Sequence, residues 1–160
     1  MTRVWSNLSR VTALCLCLLL PSTNFDVKAG IVRPLPDSRG AATLAQALQK
    51  LPVVASMLHT GAHPDDEGSS LLAYVSRGMH ARTAYMALNR GEGGQNLIGP
   101  ELYDGIGAIR TDELLAARKF DGAEQFFTRA FDYGFSKNAD EAFELWGRDL
   151  LLGDVVRIIR

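Results

Sequence analysis

The sequence predicts an α/β fold with an open, mainly parallel β-sheet and flanking helices. Residues 53–61 and 81–88 are apolar runs with the length of buried strands. Between them, residues 67–77 repeat apolar side chains at helical intervals, and Gly78 is placed to end that helix. A strand, a helix and a second strand in such a short span form a βαβ unit, so the two strands are expected to be parallel.

The N-terminal 29 residues have the pattern of a secretory signal peptide. Arg3 and Arg10 give a basic start, residues 11–20 are an apolar run, and residues 27–29 offer small side chains at a cleavage position. The run is too short to span a bilayer, and we expect cleavage after Ala29. The protein is therefore expected to be secreted or periplasmic. An uncleaved signal that anchors the chain in a membrane is the alternative.

Charge and cysteine content exclude several kinds of site. The chain has 17 basic and 18 acidic residues, and without residues 1–29 these become 14 and 17, a net charge of about −3. No basic surface for nucleic acid is implied. Cys15 and Cys17 both lie in the leader, so the rest of the chain has no disulfide and no thiolate ligand. Any zinc must be held by histidine and carboxylates.

Residues 30–52 form a lead-in before the first strand. Residues 31–40 contain two prolines and are expected to be extended. Residues 41–50 space apolar side chains at helical intervals and predict a short helix that Pro52 ends. The chain thus divides into a signal peptide (1–29), a lead-in with a short helix (30–52) and a main domain (53–160).

Residues 62–67, which read Ala-His-Pro-Asp-Asp-Glu, lie at the corner between the first strand and the following helix. In an open parallel sheet this corner is at the carboxyl edge of the strands, where ligands bind. Pro64 favours an extended His63 before it and a first helical turn after it. Residues 65–67 are thus expected to enter the helix, where the helix dipole favours their charge. A simple helix cap is the alternative role for the two aspartates.

One imidazole and three carboxylates in six residues predict a metal site. Catalytic zinc usually has three protein ligands and leaves a fourth position for water. His63 and Asp66 are three residues apart across the corner and can supply two ligands. Asp65 can accept a proton from the water as a general base. Glu67 is expected to serve the helix N-terminus.

The other two histidines are not expected to bind this metal. His59 lies four residues upstream on the same strand, about 13 Å away at the usual rise per residue. His80 begins the second strand, at the opposite edge of the sheet. We expect His59 to be a hydrogen-bonded strand residue and His80 to be a surface loop residue. The third ligand is expected from a later strand, beyond Arg160.

A long glycine-rich loop follows the second strand. Residues 90–96 read Arg-Gly-Glu-Gly-Gly-Gln-Asn, and the glycines continue to Gly107. Loops of this length in a compact domain are usually functional or disordered. The loop has neither the GxGxxG nor the GK[ST] spacing of a phosphate-binding loop, which argues against a nucleotide cofactor. A loop that shapes a substrate site is the better interpretation.

The last third of the sequence predicts a helix, a strand and a helix. The helix spans residues 108–122, the strand residues 123–131, and a turn at residues 132–136 lies again at the carboxyl edge. Residues 140–160 form the last predicted helix, which stops in an amphipathic pattern without a cap. We therefore expect the sequence to be incomplete at its C-terminus.

Three motifs together resemble the PIG-L/LmbE family of zinc-dependent N-acetylglucosamine deacetylases. They are residues 62–67, residues 90–96, and residues 109–113, which read Ile-Arg-Thr-Asp-Glu. The resemblance covers residues 53–160, as the N-terminal part of such a domain. It implies a Rossmann-like α/β fold without a nucleotide. It also implies hydrolysis of the N-acetyl group of an amino sugar or glycoconjugate, which yields a free amine and acetate.

The resemblance also implies roles for individual residues. It implies that His63 and Asp66 are zinc ligands and that Asp65 is the catalytic base. It also implies that three residues contact the sugar substrate: Arg110, Glu92 and Asp132. The third zinc ligand of the family lies in a downstream His-x-x-His stretch, which this sequence lacks.

Two alternatives stay open at this stage. The chain can be a truncated, non-catalytic domain that binds carbohydrate or depends on a partner. Arg110 can be a surface residue paired with Asp112 and Glu113, since exposed ion pairs of this kind are common and weak. The specific N-acetyl sugar and the oligomeric state are not encoded in these patterns.

Overall fold

The structure is a computed structural model that describes residues 40–160. The predicted signal peptide and the extended lead-in up to residue 39 lie outside the described residues. Among the helices of residues 40–160, none has both the length and the apolar character needed to cross a bilayer.

The described part of the chain contains a three-stranded parallel sheet. The strands β1 (Ser56–Gly61), β2 (Arg82–Ala87) and β3 (Glu124–Phe127) lie in the order β1-β2-β3. Gly61 at the end of β1 is paired with Ala87, which is paired in turn with Phe127. The predicted open, parallel α/β sheet is confirmed. The carboxyl ends of all three strands therefore meet at one edge.

Five α-helices accompany this sheet in residues 40–160. They are α1 (Ala41–Lys50), α2 (Ser69–Ala73) with a π-helical turn after it (Tyr74–Gly78), α3 (Asp104–Asp121), α4 (Ala139–Trp146) and α5 (Arg148–Ile159). The predicted short helix over residues 41–50 is confirmed at both ends.

The corner after β1 differs from its prediction. Residues 65–67 do not enter the helix, because Pro64–Asp66 form a separate 3₁₀ turn and Glu67 is extended. The carboxylate of Asp66 accepts a hydrogen bond from the backbone N–H of His63 at 2.8 Å, which closes this turn on itself. Helix α2 begins only at Ser69. The two aspartates thus project from a tight turn that precedes the helix.

Helix α3 begins four residues before its predicted start, so Gly105 and Gly107 are helical and not part of the loop. Gly107 allows a close approach of the loop, since a Cβ there would lie 3.0 Å from Cγ of Glu92. Gly122 ends the helix with a φ of 76°. The side chain of Arg77 donates hydrogen bonds to the last carbonyls of the helix, those of Lys119 and Phe120.

The predicted strand over residues 123–131 is shorter in the structure, and the predicted helix over residues 140–160 is interrupted. Strand β3 ends at Phe127, and the last helix is broken into α4 and α5 at Gly147. Gly147 has φ 74° and ψ 93°, a conformation that only glycine adopts readily.

The core lies between the sheet and helices α2 and α3. Its buried members are Leu72, Tyr85, Ala87, Leu114 and Ala123. Tyr85 and Leu72 are completely buried. This packing fixes the carboxyl edge of the sheet against α3, and the motif residues of the sequence lie at that edge.

Candidate metal centre

The corner after β1 brings one imidazole and two carboxylates together. Ligand atoms of His63, Asp65 and Asp66 lie within 4.8 Å of one another, the one such group among residues 40–160. The Nδ1 of His63 is 3.4 Å from a carboxylate oxygen of Asp66. These are nitrogen and oxygen ligands that zinc accepts. Asp65 is the most open of the three, with 77% of its side chain exposed, so ions and substrates can reach the group from solvent.

Gly61 makes room for this turn. A Cβ at this position would lie 2.7 Å from Cβ of Asp66 and would also collide with the hydroxyl of Tyr85. A Cβ atom so near to another heavy atom would force the backbone or the neighbouring side chains to move. The glycine at the end of β1 therefore lets the turn fold back onto the sheet.

Tyr85 links the turn to the sheet by a hydrogen bond. This fully buried residue of β2 donates a hydrogen bond from its hydroxyl to the backbone carbonyl of His63 at 2.6 Å. Burial, together with the negative charges of Asp66 and Glu67, raises the pKa of Tyr85 to about 12. The hydroxyl thus stays protonated and remains a donor at any physiological pH.

A buried arginine, Arg118, lies near the ring of Tyr85. Arg118 of α3 forms ion pairs with Glu67 and, at 2.7 Å, with Asp121, and it donates to the side-chain oxygen of Gln125 at 3.0 Å. Its guanidinium carbon is 5.6 Å from the centre of the Tyr85 ring. The corner is consequently fastened to α3 through a charged network in the interior.

Glu67 has a different main role from the predicted one. It does accept a hydrogen bond from the Ser69 hydroxyl at the start of α2, at 3.0 Å. Its other carboxylate oxygen, however, pairs with the buried Arg118. Glu67 therefore joins the corner to α3 more than it serves the helix N-terminus.

Arg110 lies beside the aspartates. Its Nη1 is 3.8 Å from the Asp65 carboxylate, so the structure directs it toward the corner and not toward Asp112 or Glu113. Its side chain rests on the glycine-rich loop, since a Cβ at Gly91 would lie 2.6 Å from Nη1 and a Cβ at Gly94 would lie 3.2 Å from Nη2. The glycines of the loop thus leave room for this guanidinium to pack against the loop backbone.

A hydrogen bond joins Glu92 and Asp132, but only Asp132 shares a cleft with the corner. The Glu92 carboxylate accepts backbone N–H groups of Asp132 and Arg90, both at 3.1 Å, and so ties two loops together. Asp132 lines a cleft of about 410 Å³ together with His63. Glu92 instead lines a separate hollow with Arg90. Of the three predicted sugar contacts, Arg110 thus lies near Asp65, Asp132 shares a cleft with His63, and Glu92 supports the loop.

The remaining histidines lie away from the metal-ligating group, as the sequence predicts, although His80 is half-buried and not a surface residue. The Nε2 of His59 accepts the backbone N–H of Gly68 at 3.0 Å, which confirms a hydrogen-bonded strand residue. His80 lies in the loop before β2, at the opposite edge of the sheet. Neither belongs to the metal-ligating group.

Neither Tyr85 nor Arg118 is among the residues predicted for the site, although both leave a signal in the sequence. A tyrosine in a buried strand needs a partner for its hydroxyl. Leu114, Arg118 and Asp121 recur at helical spacing on one face of α3, so an arginine on an otherwise core-facing stripe indicates a buried ion pair.

Comparison with known proteins adds a family assignment to this geometry. The sequence model of the PIG-L family, described as GlcNAc-PI de-N-acetylase, matches residues 58–160. The match covers 103 of the 160 residues and includes the corner, the glycine-rich loop and α3. A search of curated proteins found no match.

Proposed function

The chain belongs to the PIG-L family of de-N-acetylases, and on this premise we propose that it is a zinc-dependent N-deacetylase of an N-acetylated amino sugar or glycoconjugate. The reaction would add water across the amide and release acetate and the free amine. The observation that carries this proposal is the convergence of His63, Asp65 and Asp66 within 4.8 Å at the carboxyl edge of the sheet. This is the edge at which α/β proteins bind their ligands.

In this proposal His63 and Asp66 hold the zinc. Their spacing across the turn and the hydrogen bond from the His63 N–H to Asp66 support the assignment, because the turn fixes both side chains together. When bound, zinc polarises the amide carbonyl and lowers the pKa of a bound water. A third ligand would complete the set, from another part of the protein.

Asp65 is the proposed general base. It is the most exposed member of the group and can accept a proton from the water as the water oxygen attacks the amide carbon. That proton is then passed to the departing nitrogen as the C–N bond breaks, which gives acetate and the free amine. Arg110, with its Nη1 3.8 Å away, is the proposed donor to substrate oxygens. Asp132 lines the cleft that contains His63 and is the proposed contact to the sugar hydroxyls. Glu92 contributes by holding the Asp132 backbone in place.

The test measures zinc content and acetate release on the purified full chain with methyl N-acetylglucosaminide as substrate. His63→Ala should lose both the zinc and the activity. Asp65→Asn should keep the zinc but lose acetate release by about 10²-fold or more, as expected for a general base. Asp149→Asn, a matched change at an exposed carboxylate of α5, should alter neither quantity.

The outcomes separate the roles. Full acetate release by Asp65→Asn would reject the base assignment, and loss of zinc from that variant would make Asp65 a ligand. Binding of the glycoside that is insensitive to chelator, without any acetate release, would favour the alternative of a non-catalytic carbohydrate-binding domain.

We also propose that the protein acts outside the cytoplasm, after removal of residues 1–29. The support is the basic, apolar and small-residue pattern of these residues. The intact mass of the protein recovered from the medium or periplasm should then correspond to a chain that starts at Gly30. Recovery of the uncleaved chain in a membrane fraction would instead favour the anchored form.

A further inference from the structure

Asn89 is a buried polar residue just after the carboxyl end of β2. Only 1% of it is exposed, and its backbone N–H donates to the carbonyl of Ala62 at 3.1 Å. Ala62 directly precedes the proposed zinc ligand His63, and Asn89 and His63 line the same cleft of about 410 Å³. Asn89 therefore lies beside the proposed reaction site, although neither the zinc site nor the general base uses it.

One hydrogen bond fixes the orientation of the Asn89 side chain. Its Oδ1 accepts the backbone N–H of Gly91 at 2.9 Å. This contact distinguishes the two ends of the amide, because only the oxygen can accept an N–H group. The Nδ2 is then left as a donor, and it has no acceptor among residues 40–160. Buried polar groups in folded proteins are nearly always paired, so a ligand in the cleft is a natural partner for this donor.

The same cleft contains other polar atoms that the chain leaves unpaired. The hydroxyl of Tyr133, which lines the cleft, is buried without a hydrogen-bond partner among the described residues. The Tyr133 ring packs edge-on against Trp146, with the ring centres 5.6 Å apart. Asp132 uses Oδ1 to accept the Gly134 N–H at 2.8 Å, while its second carboxylate oxygen accepts nothing from residues 40–160. The cleft thus offers both donors and an acceptor to a polar ligand.

On the basis of the proposed function, we propose that Asn89 donates a hydrogen bond from Nδ2 to a hydroxyl of the bound amino sugar. A sugar hydroxyl both accepts and donates, which matches a cleft that presents the Asn89 amide and the Asp132 carboxylate. A carbonyl oxygen only accepts and matches the amide alone. Because the backbone of Asn89 is bonded to Ala62, this contact would fix the sugar ring relative to the zinc ligand that follows. Asn89 is then a substrate-binding residue of the cleft.

The test removes each side of this hydrogen bond in turn. Calorimetry on the full chain measures the affinities for methyl N-acetylglucosaminide and its 3-deoxy, 4-deoxy and 6-deoxy analogues, in the Asp65→Asn background so that no ligand is consumed. Loss of the hydroxyl that Asn89 binds should weaken binding by about fivefold or more, because a buried donor is left unpaired. In Asn89→Ser the penalty for that hydroxyl should disappear, while any penalties for the other hydroxyls persist.

Further variants separate the contact from a disturbed loop. Asn89→Ser keeps a side-chain oxygen that can accept the Gly91 N–H, and Asn89→Thr keeps the same oxygen on a larger side chain and should lose the same penalty. The matched control is Asn96→Ser, the same substitution in the same loop. Asn96 lines a different hollow, so this variant should keep every penalty.

The outcomes distinguish the contact from the function on which it rests. Equal affinities for all four glycosides with Asn89 intact would overturn the contact and leave the deacetylase proposal standing. Penalties that all persist in Asn89→Ser would overturn it as well, including the case in which all four affinities fall by the same factor, because a disturbed loop would act on every ligand alike. Failure of the methyl glycoside to bind, without acetate release by the wild-type chain, would reject the function and the contact together.

Discussion

Replacement of Arg118 by methionine tests whether the corner depends on a buried charge network. Only 6% of the Arg118 side chain is exposed, and it neutralises both Glu67 and Asp121. Methionine keeps much of the aliphatic volume but leaves two carboxylates without a counter-charge in the interior. Removal of one partner from a buried ion pair typically costs about 3–5 kcal/mol. We expect the free energy of unfolding of Arg118→Met to fall by an amount in this range.

The matched control is Arg82→Met. Arg82 also contacts a glutamate with two hydrogen bonds, to Glu124 at 2.8 and 3.0 Å. Its side chain is 70% exposed, so water already screens the pair and little desolvation was needed to form it. The same substitution should therefore reduce the free energy of unfolding by only a small fraction of the Arg118 effect.

Urea-induced unfolding of the full chain, followed by circular dichroism, measures both changes. Addition of Glu67→Gln to Arg118→Met should restore part of the lost stability, because it removes one of the uncompensated charges. Equal, small losses for Arg118→Met and Arg82→Met would refute the reasoning, since burial would then make no difference to these pairs. A double variant less stable than either single variant would refute it as well.

Three further changes test the supports of the corner and of the last helix. Gly61→Ala should lower the melting temperature and cost about 1–3 kcal/mol, because the added methyl would lie 2.7 Å from Cβ of Asp66; an unchanged melting temperature would contradict this. Tyr85→Phe should cost about 1 kcal/mol in urea unfolding, because it removes only the donor to the His63 carbonyl; a loss of zinc by calorimetry would show that the turn also positions the ligands. Arg129 lowers the pKa of Asp154 from 3.8 to about 2, so the pair stabilises the fold above about pH 4 and loses this effect as the pH falls toward 2. The difference in stability between wild type and Asp154→Asn should therefore shrink over that interval, and equal differences at pH 7 and pH 2 would exclude the pair as its cause.

The parts of the site that the sequence predicts are those that depend on neighbours along the chain. His63 and Asp66 are three residues apart, and a turn imposed by Pro64 must bring them close. The parallel pairing of β1 and β2 follows from two apolar runs joined by a helix. In both cases a short covalent connection brings the two parts together, although it does not decide between a helix start and the 3₁₀ turn that forms at Pro64.

The contacts that the sequence does not predict join distant residues. Glu67 and Arg118 are 51 residues apart, so the helical spacing that indicates a buried Arg118 does not name Glu67 as its partner. Gly107 has the sequence context of a loop residue, but it is helical, and a Cβ there would lie 3.0 Å from Cγ of Glu92. Arg110 has the sequence context of a surface ion pair, and only the resemblance to the family directed attention to it. In each case tertiary packing decides between conformations that the local sequence allows.

Helix α3 contributes to the corner from two sides. Arg110 and Arg118 are eight residues apart, about 12 Å along the helix and about 80° around its axis. This rotation lets Arg110 lie beside the exposed Asp65 while Arg118 remains buried against Glu67. A shift of α3 would therefore change the proposed substrate contact and the support of the ligand turn together. Gly91 and Gly94 leave room for the side chain of Arg110, while core packing through Leu114 and the ion pairs of Arg118 hold α3 against the sheet. The proposed chemistry consequently depends on Arg118, a buried residue outside the metal-ligating group.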